Sequence, residues 1–218
     1  MGFFMPALFN KIIKILIASD FFLNLGWGLL SPIFAIFILE SITAGNSAKA
    51  VEVAGFSALF YWITKSIFEI PIGWYLDKKY GEKDDFWFMV IGTFITALVP
   101  VGYIFSSVPW HIYFFQVIHA AGMAMALPSW LAIFTRHIDK GKEAFEWSIE
   151  ATSIGAGAGI AGGIGGLIAA SFGFKAVFVF AALLNVLSAI LLIFIKDSIY
   201  PKTKEGGAMH IEKPVVGP

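Results

Sequence analysis

Three ionisable side chains, Asp20, Lys65 and Glu69, interrupt stretches that are otherwise almost wholly apolar. Runs of about 20 apolar residues are what a hydrocarbon core of about 30 Å requires of a crossing helix. An ionised group near the centre of such a core costs roughly 2.5–3.5 kcal/mol, so three isolated ones imply roughly 7–10 kcal/mol. That is comparable with the whole stability of many domains. The three must therefore pair, become neutral, or face enclosed water. At about 100° per residue, Asp20, Asn24, Trp27 and Ser31 share one narrow helical stripe. Tyr61, Lys65 and Glu69 form a second stripe, and Gln116, His119 and Met123 a third. Hydrogen bonding to a small solute and proton exchange are the chemistries open to them. Asp20 has no basic residue one turn away and is a candidate substrate or proton site, with Asn24, Trp27, Tyr61, Lys65, Glu69, Gln116 and His119 around it. Lys65 and Glu69, four apart, suit a structural ion pair equally well. His119 can titrate near neutral pH or act as a hydrogen-bonded bystander. Trp27, Tyr61, Trp62 and Trp130 are able to stack on a sugar ring, or simply to pack.

The elements that must position these stripes are membrane helices. Of 218 residues, 58% are apolar and 14% charged, with a mean hydropathy of +0.81. Soluble domains carry about 25% charged residues, so a soluble enzyme is excluded. Fifteen basic residues against fifteen acidic ones remove any general case for nucleic-acid binding. The lack of Cys excludes disulfides, thiol catalysis and thiolate metal sites. No hydrolase or zinc-protease motif occurs, and neither a cofactor nor a metal is called for. Six runs are long enough to cross: 15–39, 53–76, 86–106, 111–134, 147–171 and 174–195. The expected organisation is an all-α integral membrane protein, with an N-terminal segment (1–14), a six-helix domain (15–195) and a flexible tail (196–218). The first run far exceeds the apolar core of about 7–15 residues of a cleaved signal peptide. The start MGFFMP lacks the Ser or Thr that a myristoylation signal carries at its sixth position.

Basic residues set the orientation. Lys11, Lys14, Lys78, Lys79, Lys83, Arg136, Lys140, Lys142, Lys196, Lys202, Lys204 and Lys213 fall on one side of this arrangement. Only Lys49 and Lys175 fall on the other, and Lys65 lies within a span. This bias predicts cytoplasmic N- and C-termini in a cell (inner or plasma) membrane, with every copy inserted the same way up.

The chain also contains a repeat. Gly26 precedes Pro32 by six residues in span one, as Gly122 precedes Pro128 in span four. Gly73 and Gly81 lie eight apart at the end of span two, as Gly165 and Gly173 do at the end of span five. The offsets, 96 from Gly26 to Gly122 and 92 from Gly73 to Gly165, divide the domain into 15–106 and 111–195. Three spans per repeat is an odd number, so the second copy is inverted, a 3+3 arrangement used by secondary transporters.

The segment GWYLDKKYGEKDD, from Gly73, resembles the loop between helices two and three of the major facilitator superfamily, G-x-x-x-D-[RK]-x-G-[RK]-[RK]. Gly73, Asp77 and Lys78 match; Gly81 falls one residue late, and Glu82 replaces a basic residue. QVIHAAGMAMALP resembles the family's helix-four segment R-x-x-Q-G-x-G-x-x-x-x-x-P, with Gln116 at the Arg position and His119 at the Gln position. Span five reads AGGIGG where family antiporters have G-P-x-x-G-G. The resemblance covers roughly residues 11–196 and implies one half of a twelve-helix transporter, with helices one and four lining the path. It also implies that a second copy completes the cavity. Gly73 then lets span two approach span five of that copy, and Asp77 faces the positive N-terminal end of that helix. Gly73, Asp77, Lys78, Gly81 and Arg136 form a gate and packing set. Arg136 and Lys140 lie near Glu143, Glu146 and Glu150, a charge network that serves as a gate latch or as helix-capping charge.

Two functions follow. One is a half-size secondary transporter acting as a parallel homodimer by alternating access. It would carry a small organic solute, sugar-like rather than drug-like, with protons as a coupling ion in symport. The other is a non-transporting accessory or assembly subunit in the bilayer, paired with a different chain.

Overall fold

The computed structural model describes residues 10–78 and 82–200, and all the regular structure among them is helical. Helix α1 (Lys11–Leu30) starts at Asn10, whose side-chain oxygen accepts the Ile13 N–H at 3.0 Å and so caps an orphan donor. It stops just before Pro32, which has no N–H to continue the ladder. A turn follows, in which Ile33 N–H donates to the Leu30 carbonyl at 3.0 Å. The chain then resumes as α2 (Phe34–Phe37) and a five-residue π-turn, Ile38–Ile42. The first expected span is therefore a helix with a broken extension.

Longer helices make up the rest: α3 (Ser47–Lys78), α4 (Lys83–Ile104), α5 (Pro109–His137), α6 (Glu143–Phe172) and α7 (Phe174–Ile193). Pro71, Pro100 and Pro128 sit inside helices without ending them. The α6–α7 corner turns on Gly173 at φ 79°, a left-handed conformation that glycine adopts without strain. The segment expected to be loose from Lys196 instead opens with α8 (Lys196–Ile199). Its Ile199 is buried in a cluster with Phe86 and Leu192, which holds the turn down. Residues 201–218, like Lys79, Tyr80 and Gly81, lie outside the described residues.

Among the described residues, five helical stretches are long and apolar enough to cross a membrane: α1, α4, α5, α6 and the α7–α8 segment Phe174–Ile199. Helix α3 has the length, at 32 residues, but carries Lys49, Glu52, Lys65, Glu69, Asp77 and Lys78. Packing runs α3 against α5, α5 against α4, α4 against α7, α7 against α1, and α1 against α6. A lighter α1–α5 contact closes the bundle and leaves α3 and α6 as flanks. Small residues set the closest approaches. A Cβ on Gly26 would collide with Asn185 of α7, and one on Gly122 would lie 2.8 Å from the Gly92 carbonyl of α4. The flanks are apolar outward: Trp62, Ile67 and Ile70 on α3, and Ile160 and Leu167 on α6, are exposed. Such breadth of exposed apolar surface suits acyl chains or a partner, not water.

Candidate functional site

A cavity of about 410 Å³ opens between α1, α3, α4 and α5. Pro32 has a direct part in it. By ending α1, it turns the chain so that Ser31 and Phe34 both reach the cavity wall beside Trp27. Helix α3 contributes Ser57, Tyr61 and Trp62, α4 contributes Tyr103, and α5 contributes Gln116 and His119.

The wall is built on stacked rings. His119 lies flat on Trp27, with centroids 3.8 Å apart and planes 7° apart. Tyr61 closes on the same imidazole at 4.8 Å and 47°, and Trp62 meets Tyr61 edge-on at 5.1 Å. Such contacts fix ring orientation beyond what burial alone provides. Ser57 spends its hydroxyl on the Val53 carbonyl at 2.6 Å. Trp27 Nε1 and the Tyr103 hydroxyl are buried with no hydrogen-bond partner among the described residues. A buried polar group without a partner costs about 1–3 kcal/mol, and neither atom is open to the cavity itself.

The structure thus gathers Trp27, Tyr61, Gln116 and His119 from three helices, as their stripes predict. Asp20, Asn24, Lys65 and Glu69 do not line this cavity. Lys65 Nζ bonds both Glu69 oxygens at 2.8 Å within α3, with the ammonium 5.7 Å from the Trp62 ring. Asp20 accepts from Asn24 Nδ2 at 2.9 Å and meets the Glu150 carboxyl of α6. Tyr103 is absent from the sequence-derived candidates, and Glu150 is grouped there with Arg136 and Lys140 rather than with Asp20. Tyr103 falls on no polar stripe, and Glu150 looks like a loop-end charge until α6 is docked on α1.

At the bundle end bearing Arg136, the charges pair otherwise than their sequence proximity predicts. Arg136 donates to Glu82 at 2.7 Å and to Asp85, and His137 contacts Glu82 at 2.9 Å. These bonds join α5 to the start of α4, whereas proximity in sequence pointed to Glu143, Glu146 and Glu150. Helix pairing overrides nearness along the chain: α5 lies on α4. Burial acts to raise the Glu82 carboxyl, but the hydrogen bond and charge from His137, then Arg136, hold it below the ordinary carboxylate range. Asn10 ties α1 to this end, donating to the His137 carbonyl at 2.6 Å and to Asp139 at 3.3 Å. The Asp139 carboxyl is lowered mainly by that Asn10 bond. On α3, a Cβ on Gly73 would meet nothing within 4 Å, Asp77 is exposed, and Lys78 lies 3.3 Å over the Trp74 ring. No group of three or more His, Asp or Glu able to hold a metal occurs among the described residues.

Apolar helices around a mostly apolar, aromatic, solute-sized cavity mark a polytopic membrane protein. The chain belongs to the Major Facilitator Superfamily, whose family model matches residues 16–217. It is 26% identical over 197 residues to an uncharacterised MFS-type transporter of Methanocaldococcus jannaschii, a match covering 90% of this chain and 48% of the relative. The chain therefore spans about half the length of that curated relative. Its fold is similar to the POT family transporter PepTSo, with a TM-score of 0.75 at 15% identity over 87% of this chain and 38% of that one.

Proposed function

We propose that the protein is a six-span, half-size secondary transporter that works as a parallel homodimer by alternating access. Its cargo is a small polar organic solute, sugar-like in character, moved in symport with protons. The observation that carries this is the cavity. Stacked rings offer faces to a pyranose-like ring, while Gln116 supplies hydrogen bonds to its rim. A site of this kind, mostly apolar with a few convergent polar groups, is the usual form of a small-molecule pocket.

The 3+3 inverted repeat has support in the packing. Exchanging α1, α3 and α4 with α5, α6 and α7 leaves the set of principal helix pairings unchanged. The matched glycines behave alike, Gly26 receiving α7 and Gly122 receiving α4. Helix α3 completes six crossings: at about 1.5 Å per residue it is long enough, and its two central charges neutralise each other. The basic-residue bias places both termini in the cytoplasm of a cell membrane.

A second copy supplies the other half of the path. The curated relative is about twice as long as the matched segment, and α3 and α6 present unpacked apolar flanks. Gly73 marks where the flank of one copy approaches α6 of the other, with Asp77 and Lys78 forming the gate beside it.

Purified protein in liposomes, screened with labelled sugars, amino acids and cationic dyes with and without a pH gradient, tests the function. Saturable sugar uptake that is lost in Trp27→Ala is the expected result; no response to any solute would leave an accessory role in its place. Crosslinking in mild detergent tests the pairing. A dimer weakened by Gly73→Leu supports it, and a stable monomer or a complex only with another chain overturns it.

A further inference from the structure

Lys65 and Glu69 neutralise each other, and Asp85 takes Arg136. Glu150 is different. It is 3% exposed, and neither of its carboxyl oxygens has a hydrogen-bond partner that is a protein donor. What it meets, across the seam between α1 and α6, is the carboxyl of Asp20 at hydrogen-bonding range. Asp20 is held from its other side by Asn24, whose Nδ2 donates at 2.9 Å to Oδ2 and at 2.9 Å to the Asp20 carbonyl.

The charged groups nearby are otherwise engaged. On α6, Glu146 takes the Asp139 N–H at 3.4 Å and feels the charge of Lys142. On α5, Arg136 and His137 are taken by Glu82 and Asp85. Helix α7 presents Ser188, bonded to Ser19 at 2.9 Å, and Asn185, neither of which titrates at ordinary pH. Lys14 of α1 is exposed.

Two carboxylates in contact in a low-dielectric setting do not both ionise, and their titration belongs to the pair. We infer that Asp20 and Glu150 form a proton-binding site that clamps α1 to α6. One proton taken from water becomes the Glu150 O–H and donates to the Asp20 carboxylate. The pair then carries a single negative charge, which the Asn24 amide faces. Loss of that proton to water leaves two carboxylates that repel across the seam. Asp20 lies seven residues from Trp27 on α1, about 10 Å along the axis, so the clamp and the cavity wall share one helix. This deepens the transport reading, on which it rests for the coupling role, by assigning the coupled proton to this seam and not to His119.

Infrared spectroscopy of the full chain in liposomes reads the proton directly. At neutral pH the wild type should show the C=O stretch of a protonated carboxyl that disappears on alkaline titration. Asp20→Asn and Glu150→Gln, which supply an amide donor in place of the proton, should each remove the same one-carboxyl component. No such band at neutral pH, or a band unchanged in both variants, overturns the site. Thermal unfolding gives a second measure: wild-type stability should fall as pH rises above neutral, whereas Glu150→Gln should stay flat. Identical pH profiles overturn it. If no solute is transported but the band behaves as stated, the site stands and the transport reading fails. If uptake persists without the band, transport stands and the proton site fails.

Discussion

Glu69 and Glu150 are both glutamates carried within long helices of an apolar bundle, yet they are accommodated in opposite ways. Glu69 has its counterion one turn back on the same helix, and Lys65 reaches both of its oxygens at 2.8 Å. Glu150 has no counterion on α6 and is brought against a second acid on α1. The first is a local solution that needs only α3 to form. The second exists only once two helices have docked, and it calls for a proton where the first calls for a cation.

The two sites should respond to isosteric neutralisation with opposite signs. Glu69→Gln leaves the Lys65 ammonium buried without a counterion and should lower stability by about 3 kcal/mol, read as thermal unfolding in detergent. Joint replacement by Lys65→Met and Glu69→Leu should recover most of that loss, because apolar residues commonly match or exceed a buried ion pair. Glu150→Gln should be neutral or stabilising at neutral pH. A large loss there would erase the distinction between the two glutamates.

Helix α6 allows a second contrast, between its two faces. A Cβ on Gly165 would run into the backbone of Leu29, so Gly165→Leu should cost about 2 kcal/mol by overpacking the α1–α6 seam. Gly163 meets nothing within 4 Å, and Gly163→Leu should change unfolding of the single chain by less than about 0.5 kcal/mol. Equal effects would mean that α6 is rotated on α1.

A more modest loss belongs to the charge cluster at the α4–α5 end, and its pH dependence runs against that of the proton clamp. The Glu82 carboxyl is held below its ordinary value of 4.5. Its contribution is therefore complete above that value and is lost as pH falls through the lower folded one. Glu82→Gln should cost about 1 kcal/mol near neutrality and should flatten the acid limb of a stability-against-pH curve. An unchanged acid limb would remove Glu82 from the charges that hold α4 to α5.

Much of the site was legible because helical periodicity is a short-range property. The stripes holding Trp27, Tyr61 and His119 follow from spacing alone, and the cavity collects those residues. The Lys65–Glu69 pair was equally legible, being four residues apart on one helix. Pro32 marks the repeat in sequence, but the way its missing N–H ends α1 and redirects Ser31 and Phe34 to the cavity depends on the backbone.

What composition and pattern determined by themselves is that the chain builds apolar helices, places polar stripes on them and repeats its glycine spacing, because these depend on neighbours within a turn or two. Tertiary structure alone decided which stripes converge. Contacts such as Asp20 with Glu150, Arg136 with Asp85, and Tyr103 with the cavity join residues dozens of positions apart. They arise from the order in which helices pack, and that order is set by where small residues let two backbones touch.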